Sequence, residues 1–157
     1  MKRLLLNGVA AVAMASTVVA IAPMAQATFT AAVVSTAGVL RSGQDHFFEV
    51  TVEGDPLQRL RVECVTFHKL SGLNIMVDGQ TVEPDIHFGF EEFTLTFDEA
   101  VPDDAVIRIV MEDSEVLGTI NSGISVPYRV YGTYASLNNE EVPLGTAIVR
   151  TPSRGDR

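Results

Sequence analysis

The sequence predicts an all-β fold, an antiparallel β-sandwich of immunoglobulin-like or related type without a disulfide. Three observations carry this. From about residue 45 onward apolar side chains recur at a period of two, the repeat of a half-buried strand. Turn signals rich in Gly, Pro, Asp and Ser interrupt the alternation about every 8–12 residues, the spacing of sandwiches and barrels. The chain holds one cysteine, Cys64, and no tryptophan. Packing alone must therefore hold the fold, and the usual core of a true immunoglobulin domain is missing.

The first element is a leader. Lys2 and Arg3 precede an uncharged Ala/Val-rich run from Leu4 to Ile21, and Ala25-Gln26-Ala27 follows. Basic, apolar and small-residue segments in that order make residues 1–27 a signal peptide. Asn7, Ser16 and Thr17, the many alanines and the lack of a basic stop after Ala27 argue against a membrane anchor. The mature chain is thus expected at Thr28, with no stable membrane span after cleavage. Residues 28–44 read as an N-terminal lead or an edge strand, since Phe29, Ala31 and Val33 can pair at an edge.

The domain proper is expected over 45–150. Phe48, Val50 and Val52 alternate with Phe47, Glu49, Thr51 and Glu53, and Gly54-Asp55-Pro56 ends that strand. Leu60, Val62 and Cys64 then share one face, with Arg59, Arg61 and Glu63 on the other. Val65 and Phe67 reverse the faces, which predicts a bulge or burial on both sides. Ser71-Gly72 turns the chain into Leu73 to Val77. Asp78-Gly79 is a strong hairpin signal because both residues tolerate positive φ. Phe93, Leu95 and Phe97 alternate with Thr94 and Thr96, and Pro102-Asp103-Asp104 leads into Ala105 to Met111. Val126 to Tyr134 and Val142 to Val149 supply the last strands. Residues 151–157, polar with Pro and Gly, read as a flexible tail.

The 157 residues carry 11 Lys+Arg against 20 Asp+Glu, a net charge of −9. Like charge disfavours a nucleic-acid backbone or an anionic lipid surface as partner. No phosphate-binding loop, dinucleotide fingerprint or nucleophile elbow is present, and none of the motifs implies a cofactor. Cys64, mid-strand beside Leu60 and Val62, has the setting of a small buried hydrophobe.

Two candidate sites follow from the pattern. Arg129, Tyr131 and Thr133 fall on one face of a strand, opposite Tyr128 and Tyr134, and form a candidate aromatic–polar binding strip. Asp98, Glu99, Asp103 and Asp104 flank one predicted hairpin, so their carboxylates form a candidate weak cation site, although no calcium-loop motif is present. Asp85 and His87 would point the same way in a strand. His46 follows Asp45 and His68 reads as lying in a turn; the three histidines lack zinc-type spacing and read as surface residues.

Three short motifs resemble a cyanobacterial family of secreted proteins, called domain of unknown function 2808. They are Phe47-Phe48-Glu49-Val50 running through Gly54-Asp55-Pro56-Leu57 to Leu60-Arg61-Val62; Thr96-Phe97 with Val101-Pro102; and Tyr128-Arg129-Val130-Tyr131 with Pro143-Leu144-Gly145. The resemblance spans about residues 46–150, with Asn121-Ser122 where the family pattern has Asn-Pro. It implies export, a β-rich fold and an envelope setting, and it carries no activity or catalytic residue. The sequence therefore reads as an exported non-catalytic binding or structural module of the bacterial envelope, at the periplasm or cell surface, contacting protein or polysaccharide. The rival readings are a small hydrolase acting on envelope glycans with paired carboxylates, and a subunit assembling through edge strands. Intact mass of the exported protein should begin at Thr28; a mass that retains residues 1–27 would overturn the leader.

Overall fold

The structure, a computed structural model, describes residues 32–40, 44–65, 68–116 and 123–152. Residues 1–27, read as a signal peptide, most of the tail and the Asn121-Ser122 step lie outside the described residues. The strands are β1 (Val33–Leu40), β2 (Asp45–Thr51), β3 (Leu57–Cys64), β4 (His68–Lys69), β5 (Gly72–Val77) and β6 (Gln80–Val82), then β7 (Asp85–Phe88), β8 (Glu92–Val101), β9 (Val106–Glu112), β10 (Glu115–Val116), β11 (Ser125–Tyr134) and β12 (Glu141–Arg150). The only helical turn among the described residues is a 3-10 turn, Ala135–Leu137.

Two five-stranded antiparallel sheets face each other, ordered β1-β2-β9-β5-β6 and β12-β11-β3-β8-β7, with a small β10-β4 ladder. The fold is the expected all-β antiparallel sandwich, and Cys64 is a free, buried thiol. Its pairings nest: β5 with β6, β3 with β8, β2 with β9. The chain from β2 to β9 is therefore one long hairpin whose successive pairs fall in alternate sheets, the winding of a jelly roll. Its tip is the turn Asp78-Gly79, with φ of 51° and 78°, the positive pair that a two-residue hairpin needs. The Asp78 carboxylate braces this tip by accepting the Val106 N–H at 2.9 Å.

Alternation places the core as read. Phe48, Val50, Leu60, Val62, Phe93, Leu95, Ile107, Ile109, Tyr128 and Val130 are all buried between the sheets. The ring of Tyr128 stacks on Phe48 with centroids 6.0 Å apart, and its hydroxyl shares a 2.6 Å hydrogen bond with His46 Nδ1. The Tyr134 hydroxyl accepts the Ala32 N–H at 2.8 Å, tying the start of β1 to the end of β11. A Cβ on Gly132 would come to 2.8 Å from Leu57 Cδ1, so a larger residue there would force that buried leucine to shift.

Five readings change. Residues 33–40 form an edge strand that belongs to the sandwich, so it begins before residue 45. His46 is buried rather than on the surface, because alternation from the inward Phe48 turns it inward too. β3 ends at Cys64 and Val65 is exposed, so the reversal of faces marks a strand end and not a bulge. Thr151, read as loose tail, is buried and anchored: its N–H donates to the Ile124 carbonyl at 2.9 Å and its Oγ1 accepts the Ile124 N–H. His68, read in a turn, opens the two-residue β4.

Phe48→Ala should cost about 3–5 kcal/mol in urea denaturation, whereas Ile148→Ser on an exposed face should stay within about 0.5 kcal/mol. Equal losses would mean that the inner layer is misassigned.

Candidate functional site

The outer face of the β12-β11-β3-β8-β7 sheet is a charge lattice centred on Arg61. Its guanidinium forks onto Glu141, with Nη2–Oε1 at 2.6 Å and Nε–Oε2 at 2.8 Å, and Nη1 reaches Glu92 at 3.0 Å. The same group lies 4.1 Å from the ring centroid of Tyr131. Tyr131 in turn donates to Glu63 Oε2 at 3.2 Å, and Arg129 meets Glu63 Oε1 at 3.4 Å. Hydrogen bonding to Arg61 holds the Glu141 carboxyl below its usual range, and Glu141 foremost raises the guanidinium.

Of the predicted strip, Arg129 and Tyr131 thus share the outer face, with their polar ends engaged by Glu63 and Arg61. Thr133 is elsewhere. It keeps their alternation but is covered, 5% exposed, next to a register shift between Thr133 and Tyr134.

The acidic residues do not converge. Asp98 and Glu99 are within β8, while Asp103 and Asp104 form the turn after it. Asp103 Oδ1 accepts the Gly54 N–H at 2.7 Å and the Asp104 N–H at 3.0 Å, which makes it a turn brace. Asp85 and His87 are both exposed on β7, opposite Thr96 and Thr94. Among the described residues no group of three or more His, Cys, Asp or Glu is placed to hold a metal ion.

Two clefts were not foreseen from the sequence. On one side the sheets approach each other through β1 and β12, where Gly145 faces Val34. On the other side, between β5 and β7–β8, they part into a cleft of ≈ 540 Å³. Leu73, Ile86, Phe93 and Cys64 line it, with Lys69, Glu91 and Glu92 at its rim. Phe88, also lining it, is 56% exposed, and neighbouring Phe90 is 81% exposed. Burial first, then the charges of Glu91 and Glu63, push the Cys64 thiol up to about 11, so it is protonated at neutral pH. The Phe88-Gly89-Phe90 cluster was the available sequence signal.

The second cleft, ≈ 210 Å³, opens at the opposite end of β3. Leu57 pairs with Val101 and Arg59 with Thr96, so Phe97 to Ala100 bulge opposite Gln58 alone. That bulge, Thr133 and Asn139 enclose a mainly polar hollow. Bulges of this kind redirect side chains at strand rims.

No family model matches the chain, and no curated protein does. Among solved structures it is similar to BcpA, the major pilin subunit of Bacillus cereus, at 11% identity and TM-score 0.47. That match covers 77% of this chain and 39% of the pilin, so the chain spans well under half the pilin's length. It is similar also to the collagen-binding subdomain of the Enterococcus faecalis surface protein ACE, at 13% identity and TM-score 0.44, covering 73% of this chain and 93% of that one. At such values these are likenesses of architecture, and no ligand or partner passes from them to this chain.

Because the folded state lowers the Glu141 pKa, the ion pair stabilises above the unfolded value of about 4.3 and is lost as pH falls through the folded one. Glu141→Gln should therefore be less stable than the native chain at pH 7, with the gap narrowing in urea titrations as the pH falls below about 4.3. A gap that does not change with pH would contradict the pairing.

Proposed function

We propose that the chain is an exported, non-catalytic module of the bacterial envelope that engages a protein partner at the open side of its sandwich. The observation that carries this is the cleft of ≈ 540 Å³ whose apolar lining continues outward into exposed Phe88 and Phe90. An apolar centre rimmed by Lys69, Glu91 and Glu92 has the anatomy of an interaction site. Beside it β7 is the last strand of its sheet, so its outer backbone edge suits pairing with an extended segment.

The chemistry of the surrounding groups supports a non-catalytic role. Arg61 is neutralised by two carboxylates, and Cys64 is held as the unreactive thiol. Export rests on the leader pattern of residues 1–27, and no helix among the described residues is long and apolar enough to cross a membrane. Membership of the domain of unknown function 2808 family is proposed on the three motifs. In the fold these occupy β2 to β3, the end of β8, and the β11–β12 pair.

A photocrosslinking residue at position 88 should trap one dominant protein in the envelope fraction, and Phe90→Ser should weaken that adduct. The same residue at position 148, on the far edge, should not trap it. Identical adducts from both positions would overturn the proposed surface.

A further inference from the structure

We infer that the partner engages the open side with an extended strand whose alternate residues are apolar and whose ends carry lysine or arginine. The inference rests on the protein contact proposed above and adds the chemistry of the segment that makes it.

The free edge is laid out for such a strand. β7 pairs with β8 alone, Ile86 opposite Leu95 and Phe88 opposite Phe93. Leu95 and Phe93 are buried, so Ile86 and Phe88 face the gap between the sheets while Asp85 and His87 face outward. The Gly89 N–H donates to the Glu92 carbonyl at 2.9 Å. Bonded and unbonded pairs alternate along an antiparallel ladder, so Asp85 and His87 direct their backbone groups to β8. Those of Ile86 and Phe88 point to the free edge. A strand added antiparallel there bonds to the same two residues whose side chains line the cleft. Its own residues opposite them, two apart in sequence, turn their side chains into the gap. The gap is long enough for more than one side chain: past Leu73 and Ile86 the cleft of ≈ 540 Å³ continues into a hollow of ≈ 300 Å³ that reaches Pro84.

Charge decides what flanks that strand. Glu83 and Asp85 stand at the start of β7, and Glu91 lies in the turn after it. Among the described residues no cation pairs with any of the three, whereas Glu92 is held by Arg61 at 3.0 Å. Lys69 is the one cation lining either cleft, against Glu83, Glu91 and Glu112. A second copy of this chain is a poor occupant, because a two-fold axis at β7 would set these carboxylates against themselves. A small apolar molecule could fill the gap but would gain nothing from the β7 backbone groups or the carboxylates. A basic-flanked strand uses all three features.

NMR titration of the mature chain with peptides Lys-Lys-X-Thr-X-Thr-Lys-Lys, X being Val, Leu or Phe, reads the contact directly. At least one should give saturable shifts at the Ile86 and Phe88 amides. Replacing its lysines by glutamates should weaken it by about tenfold, three exposed ion pairs at a few-fold each. Raising NaCl from ~0.05 to ~0.5 M should narrow that difference, and so should Glu83→Gln combined with Glu91→Gln. Phe88→Pro removes an N–H that β8 does not use, so the chain should still fold but no longer bind; Phe88→Ala, which keeps the N–H, should only weaken binding. N-methylation of both X residues should abolish binding with the protein unchanged. No saturable shift with any peptide overturns the inference, and shifts with decanoate or a concentration-dependent dimer in its place would name the occupant. Equal affinity for lysine- and glutamate-flanked peptides overturns it as well. The crosslink from position 88 is independent: an adduct there without peptide binding leaves the protein contact standing and removes only the strand.

Discussion

A tyrosine hydroxyl in the middle of a sandwich must find a partner there, and this constraint sets the relation between the two sheets. Tyr128 reaches from β11 across the interior, lays its ring on Phe48 and meets His46 Nδ1 at 2.6 Å, two residues 82 positions apart in the chain. Burial, with a smaller contribution from Cys64, pushes the phenol well above its ordinary value, so it stays neutral and bonds as a neutral group. A slip of β2 by one residue would turn His46 outward and leave the hydroxyl bare. In a chain with one cysteine this contact takes the place that a disulfide and tryptophan hold in immunoglobulin domains. It is weaker than a covalent link but specific to one register.

Surface chemistry then divides by location. On the broad outer face, charges are mutually satisfied: Arg61 serves Glu141, Glu92 and the Tyr131 ring together, which stiffens β3 against β8, β11 and β12. Unsatisfied chemistry collects where pairing fails. The open side between β5 and β7 leaves apolar surface exposed, and the β8 bulge leaves a small hollow lined mainly by polar side chains. The irregular surface thus lies where the ladder is broken and not on the regular face.

Much of the fold was legible because alternation is a local property. The inward residues of β2, β3, β8 and β11, the Asp78-Gly79 tip and the burial of Cys64 could all be read from neighbours in sequence. Sites were less legible. Arg129 and Tyr131 were placed on the correct face, but their engagement by Glu63 and Arg61 depends on which strands adjoin β11. Thr133 shared their alternation and was still covered, because residues of neighbouring segments gather around it at the β8 bulge. The short strands β6 and β7, three and four residues long, carry too little pattern to announce themselves, and β7 borders the open cleft. The polar hollow depends on four segments, none of which is unusual alone.

The nested winding also has a kinetic consequence. The inner sheet order cannot form until β9 is available to β2, and β11 must then insert beside β3. Most contacts join residues far apart in sequence, a high contact order that makes folding slow and leaves little persistent structure in a partly synthesised chain. Such a polypeptide stays extended and threadable while it is being made, and becomes compact only once its C-terminal strands arrive.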